Sequence, residues 1–336
     1  MAELPRFNYG GQAVIEGVMI RGRSHFSLAV RRQDGTIYRQ QELLNNMFTG
    51  PARRIPLLRG ILVLLESLSL GVKALRRSAN IAMQEEDGDE QEELPAWAMA
   101  GTLAISMLLG VGLFFLLPLL IVWLLDPYIA SDLVSNVIEG VIRLTILVSY
   151  IKLIGLSSDI KRVFAYHGAE HMAVHTYEAG LALVVENVRK FGTPHPRCGT
   201  AFLLTVVLIS IVVFAFLQRP PMEWRIISRI ALVPVIAAFS YEVIRFSGAH
   251  QEAWFGRMLS QPGLILQRLT TRQPDDSQIE VAICAMETAI AADQGRENPE
   301  PISLVNGGET AIEIAEPGTT AENEAESSAD GCGTTG

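Results

Sequence analysis

Cysteine is scarce in this chain: Cys198, Cys284 and Cys332 are widely spaced and odd in number, which excludes a disulfide framework. Residues Met1–Arg6 lack a charged segment followed by an apolar core, so no cleavable signal peptide is expected. Glycines 10, 11, 17, 22 and 35 punctuate the N-terminal region. They match neither a P-loop, which needs a Gly-Lys-Ser/Thr end, nor the G-x-G-x-x-G of a dinucleotide site. The basic N-terminal part lacks interleaved aromatics, so no nucleic-acid partner is expected. Charge is missing altogether between Glu93 and Asp126. Of the six histidines, four fall between positions 167 and 195.

Hydrophobic residues make up 49% of the chain and are concentrated in blocks, which points to membrane spans rather than one soluble core. The formal charge of -9 belongs to a tail: from residue 288 onward there are ten acidic residues and one basic, a net of -9, so the body sums to about zero.

Residues 1–50 read as a small β-rich cytoplasmic unit. In particular, Phe26–Arg31 and Thr36–Arg39 flank Asp34-Gly35, a hairpin signal. Residues 51–83 form an amphipathic helix carrying Arg59, Glu66 and Lys73 along one edge, suited to an interface or to bundle packing. Residues 84–96 are an acidic linker. A transmembrane bundle of about four helices follows over 97–246. The first span is the charge-free run bracketed by Trp97 and Trp123, longer than the ~20 residues that cross a bilayer. The second runs from Val137 to Leu156 and contains Glu139, Arg143 and Lys152; the third is Phe202–Leu217 and the fourth Ile226–Phe246. Glu139 and Arg143 are placed to pair with Glu242 and Arg245 between the second and fourth spans. Residues 247–292 are a cytoplasmic helical segment, and 293–336 a disordered acidic tail. Residues 1–83 carry twelve Lys/Arg against five Asp/Glu, residues 127–136 none, and residues 157–200 five. By the positive-inside rule both termini and the 157–200 connection face the cytoplasm. The expected fold is thus an α-helical multi-pass membrane protein with a small N-terminal β-rich unit, located in the cell membrane.

The chemistry is concentrated in Tyr166-His167-Gly168-Ala169-Glu170-His171-Met172-Ala173-Val174-His175. Spacing of i, i+4 and i+8 puts His167, His171 and His175 on one helical face, with Glu170 beside the first two. His167-x-x-Glu170-His171 is the inverzincin order, in which two imidazoles bind zinc and the carboxylate acts as base. His195 is held between Pro194 and Pro196, a rigid placement suited to a ligand. The expected metal ligands are His167, His171, His195 and Glu186, with Glu170 catalytic. Further candidates are His175, Glu178, Cys198, Glu16 and Arg21. The expected cofactor is a divalent metal, zinc in the first instance.

Four motifs carry a family resemblance: Gly10–Gly22, Tyr166–His171, Thr193-Pro-His-Pro-Arg-Cys-Gly-Thr200 and Pro262–Arg272. Over about residues 8–290 the chain resembles the YqhQ-like family, bacterial and plastid membrane proteins of unknown function suspected to be metal-dependent enzymes. The resemblance implies a multi-pass protein with a metal site and no established substrate.

Two functions are therefore carried forward. The first is a metal-dependent, membrane-embedded hydrolase acting on a lipid or membrane-protein substrate at the cytoplasmic face. The second is a non-catalytic membrane protein that regulates other membrane proteins, with a structural metal site or none. Membrane lipids are expected partners under either.

Overall fold

The computed structural model describes residues 7–45, 50–83 and 96–296. The acidic linker up to residue 95 and the acidic tail from residue 297 lie outside the described residues.

Strands β1 (Gly10–Val14), β2 (Gly17–Arg21), β3 (His25–Arg31) and β4 (Ile37–Leu43) pair as an antiparallel meander in chain order. Gly35 sits at φ 86° in the β3–β4 turn, where the Asp34 carboxylate accepts the Thr36 N–H at 2.7 Å. That left-handed backbone favours glycine, and the Asp-Gly pair makes the turn the alternation predicts.

The helices follow. A 3-10 turn (Pro51–Arg54) leads into α1 (Leu58–Met83) and then α2 (Ala96–Val111). A π-helical turn (Gly112–Leu116) continues into α3 (Leu117–Leu125), and α4 (Asp132–Ile154) comes next. After it come α5 (Ser158–Glu178), the short α6 (Val185–Val188), α7 (Gly199–Ala215), α8 (Met222–Ala231), α9 (Val233–Ala249), α10 (Trp254–Thr270) and α11 (Asp276–Asp293).

The period-two alternation of the strands sends two sets of side chains to opposite faces. Val14, Met19, Phe26, Leu28 and Val30 pack with Ala74 and Ile81 of α1. Val18, Ile20 and Ala29 pack on the other face with Tyr166, Ala169 and Ala173 of α5 and Val281, Ala285 and Met286 of α11. Ser27, on this second face, donates to the Ala285 carbonyl at 2.6 Å, so its buried hydroxyl is satisfied. The sheet is thus sandwiched between helices from distant parts of the chain, with α11 started by a full Asp275/Gln278 capping box. Each large apolar side chain removed from water here contributes about 1.5–3 kcal/mol.

A second assembly brings α4, α7 and α10 together through Leu147, Ile151, Leu204 and Leu266. Its close approaches need glycine: a Cβ on Gly140 would lie 2.3 Å from Ile211, and one on Gly263 2.6 Å from Ala201. Buried charge converges on Glu139, which is 1% exposed. Its carboxylate meets Arg143 at 2.8 Å in the same helix, and Arg229 at 2.9 Å and Arg225 at 3.6 Å from α8. Arg143 also donates to the Phe114 carbonyl in the π-turn at 3.1 Å. Charge does pair between the second and fourth expected spans, but through Arg229; Glu242 pairs instead with Arg59 of α1. The i, i+4 spacing inside α4 and the approach of α8 bring guanidinium groups to Glu139 first.

Among the described residues, one helical stretch, Ala104–Tyr128, is long and apolar enough to cross a membrane. Helices α8 and α9 would together count as a second, broken span, bent by 41° at Leu232, next to Pro234. The third expected span is the shorter apolar helix Gly199–Ala215. The second, α4, carries four charged residues over its 23 positions from Asp132 to Ile154 and is not among these membrane-capable helices. The chain is therefore mostly helical, with a small N-terminal antiparallel sheet and one clear membrane-capable helix.

Candidate metal centre

Helix α5 serves two surfaces at once. Tyr166, Ala169, Ala173 and Val174 face the sheet and α11, while His167, His171 and His175 come round to a neighbouring face at the spacing of one turn each. Opposite them runs the loop 193–198, and beyond it the C-terminal half of α10. The packing is close enough that a Cβ on Gly168 would sit 2.2 Å from the Arg272 carbonyl oxygen. Glycine at 168 is what lets the α10–α11 connection approach α5.

The loop and α10 orient the imidazoles through backbone carbonyls, which can only accept. His167 Nδ1 donates to Thr270 O at 2.9 Å, and His171 Nδ1 to Thr193 O at 2.5 Å. Each neutral ring therefore carries its lone pair on Nε2. His167 Nε2 lies 3.2 Å from Cys198 Sγ, and His171 Nε2 lies 3.4 Å from Glu170 Oε2. One donor atom each from His167, His171 and Cys198 falls within 4.8 Å of the other two.

The His171 Nε2 lone pair faces the Glu170 carboxyl group. Burial pushes Glu170 above the usual carboxylate range, against the pull of His167 and His195 and the Gly11 backbone N–H. Burial also holds His171 well below its ordinary value, helped by His167 and His195. The Cys198 thiol is pushed up to about 11, mainly by burial, so it donates S–H to His167. Glu170 and His171 are each 3% exposed. Strand β1 covers Glu170: a Cβ on Gly11 would meet the Glu170 side chain at 3.0 Å.

A second group lies further along α5. His175, Glu178 and His195 also place one donor atom each within 4.8 Å of the others. His175 Nε2 donates to Pro194 O at 3.0 Å, and His195 Nε2 lies 3.4 Å from Glu178 Oε2. Burial lowers the pKa of both imidazoles, with the bond to Pro194 opposing it at His175 and Glu170 opposing it at His195. The His171 and His195 rings are 5.5 Å apart.

Of the expected ligands, His167 and His171 come together, and Cys198 joins them. His195 goes instead to His175 and Glu178. Glu186 is exposed at the start of α6 and belongs to neither group. Its helix is a single short turn that begins after the extended Val184. Glu16, at φ 51° in the β1–β2 turn, takes Arg162 and the Tyr166 hydroxyl, the latter at 3.2 Å. It braces α5 from the sheet side without reaching the imidazoles. Arg21 pairs with Glu66 of α1 at 2.9 Å, on the α1 side of the sheet. Gln267 is the residue that spacing alone does not reveal. Its amide accepts the His195 N–H at 2.7 Å and donates to the His195 carbonyl at 2.8 Å, locking the loop. It lies within the Pro262–Arg272 motif, but its partner is 72 residues away.

Comparison with known proteins agrees with the sequence motifs. A family described as Protein of unknown function (DUF1385) matches residues 55–292. The chain is 35% identical over 285 residues to the uncharacterized protein YqhQ of Bacillus subtilis (strain 168), covering 82% of this chain and 90% of that protein. No solved structure matches. The chain belongs to the DUF1385 family, the family that the YqhQ-like motifs indicated.

Proposed function

We propose that the protein is a membrane-embedded, metal-dependent hydrolase acting on a lipid or membrane-protein substrate at the cytoplasmic face. The observation that carries this is the orientation of His167 and His171. Both Nδ1–H groups are tied to carbonyls, so both Nε2 lone pairs are free, one facing the Cys198 sulfur and the other Glu170. Two imidazoles and a thiolate are a donor set that suits zinc, and three protein ligands leave a fourth position for water. A zinc ion held there would lower the pKa of a bound water and polarise the scissile group. As a carboxylate beside His171, Glu170 would take the proton of an attacking water and return it to the leaving group. Thr193 and Thr270 carbonyls hold the imidazoles, and Gln267 holds the loop that carries Cys198.

Membrane placement rests on a coarser finding, the span-forming stretch Ala104–Tyr128. The multi-pass reading, with both termini cytoplasmic, is supported by the way α4 disposes its charge. Glu139 and Arg143 turn inward to Arg225 and Arg229, while Leu133, Val137, Val141 and Leu153 of α4 stay exposed and apolar. Helix α10 supports a site at the membrane surface. Its Gln267 and Thr270 reach the site, while Trp254, Met258, Ile265 and Leu269 are exposed.

The burial of Glu170 and His171 favours one other reading, a non-catalytic regulator of membrane proteins with a structural metal. Complementation of a knockout separates the two. Under the hydrolase reading, Glu170→Gln retains bound zinc and fails to restore function. A zinc-bound Glu170→Gln protein that restores it fully would establish the structural reading. Metal-free wild-type protein, purified without chelators, would overturn the hydrolase reading and leave the non-catalytic one, without a metal.

A further inference from the structure

We propose that His175, Glu178 and His195 form a second divalent-cation site, separate from the centre at His167, His171 and Cys198. The two groups share α5 and the 193–198 loop but no ligand, so each stands without the other.

Three observations carry the proposal. First, two imidazoles and a carboxylate gather with donor atoms within 4.8 Å of one another, the His2Glu set that zinc and its neighbours accept. Second, the set is preorganised. His175 and Glu178 are one helical turn apart on α5, and the His175 ring is fixed by its Nε2–H bond to Pro194 O, which leaves the Nδ1 lone pair free. His195 is held between two prolines, with its backbone clamped on both sides by Gln267. Third, a cation already sits there: the Arg197 guanidinium contacts Glu178 Oε1, while Oε2 faces His195. The Glu178 carboxylate thus already takes a positive charge, which Arg197 supplies.

The same contacts rank the two sites. An entering ion must displace the Arg197 guanidinium from Glu178. If His195 binds through Nε2 it must also adopt the tautomer with Nδ1–H, giving up the 3.3 Å contact from the Arg197 backbone N–H. The first centre has no cationic side chain to displace, only the Cys198 thiol proton. The second site is therefore the weaker one, and Arg197 sets its affinity.

Cobalt(II) titration of the purified full-length protein tests this, because only the first centre contains sulfur. Wild-type protein should bind two equivalents. The tighter brings a thiolate-to-cobalt charge-transfer band, and the weaker brings none. Glu178→Gln or His175→Gln should remove the weaker phase and spare the sulfur band; the two variants guard against one that misfolds. Arg197→Gln should tighten the weaker phase by about tenfold, as expected when a competing charge leaves a partly buried carboxylate. A single equivalent in wild type, unchanged by Glu178→Gln, overturns the proposal, as does a second equivalent indifferent to both Glu178→Gln and His175→Gln. Cobalt bound without a sulfur band and lost in Glu178→Gln upholds this site and overturns the reading of the first centre.

Discussion

His167, His171 and His175 are equivalent by spacing, and their chemistry diverges through the group each donates to. Carbonyls of Thr270 and Thr193 turn the first two Nε2 atoms inward, whereas His175 spends its Nε2–H on Pro194. The helical face was legible from the i, i+4, i+8 pattern, and so was the rigidity of His195 between prolines. Which side chains cluster together was not, because Cys198 and His195 arrive on a loop whose path α5 does not determine. Glu186 shows the converse: proximity in sequence suggested a ligand, and it is exposed on the turn after Val184. Gln267 shows how far the missing information extends, since its two bonds to His195 are invisible to any local window. Replacing it by leucine keeps the volume but strands a buried N–H and a buried C=O. The Gln267→Leu protein is expected to lose about 1–3 kcal/mol for each group, read as a lowered unfolding midpoint. An unchanged midpoint would mean that the 193–198 loop is held by something else.

Helix α4 carries charge inside an expected span, and the fold shows where that charge goes. Composition counts Glu139 and Arg143 as obstacles to a bilayer, but the fold turns them onto Arg225, Arg229 and the π-turn carbonyl of Phe114. An element can thus be polar in composition and apolar at its surface. The pairing with α8 required knowing that the 222–249 segment breaks, and Pro234 gave a hint of that without giving the 41° bend. Three guanidinium groups converge on one buried carboxylate, so Glu139→Gln leaves Arg143 and Arg229 without their counter-charge, while Arg225 keeps Asp126 at 2.6 Å. The substitution is expected to cost about 3–5 kcal/mol, measured by denaturation in detergent micelles. A loss below ~1 kcal/mol would show that Asp126 and solvent compensate the cluster.

Taken whole, the molecule joins a helix-covered sheet to an apolar bundle, and the histidines lie where the two meet. The small sheet and its hairpin were readable from alternation and Asp34-Gly35. Its role as a cover was not, since strand β1 reaches Glu170 through Gly11 across about 160 residues of chain. Topology is the prediction that belongs to this scale. Reporter fusions after residue 296 and before residue 7 should both read cytoplasmic, as twelve Lys/Arg in residues 1–83 and none in 127–136 require. A periplasmic signal from either terminus would contradict the multi-pass arrangement.

The centre at His167, His171 and Cys198 is the claim on which the functional reading depends, and its donor set has a direct signature. X-ray absorption at the zinc edge, on protein loaded with one equivalent of zinc, should show one sulfur neighbour at ~2.3 Å beside nitrogen or oxygen neighbours at ~2.0–2.1 Å. The sulfur shell should vanish in Cys198→Ser and persist in Glu178→Gln. A shell of nitrogen and oxygen alone in the wild-type protein would contradict the account.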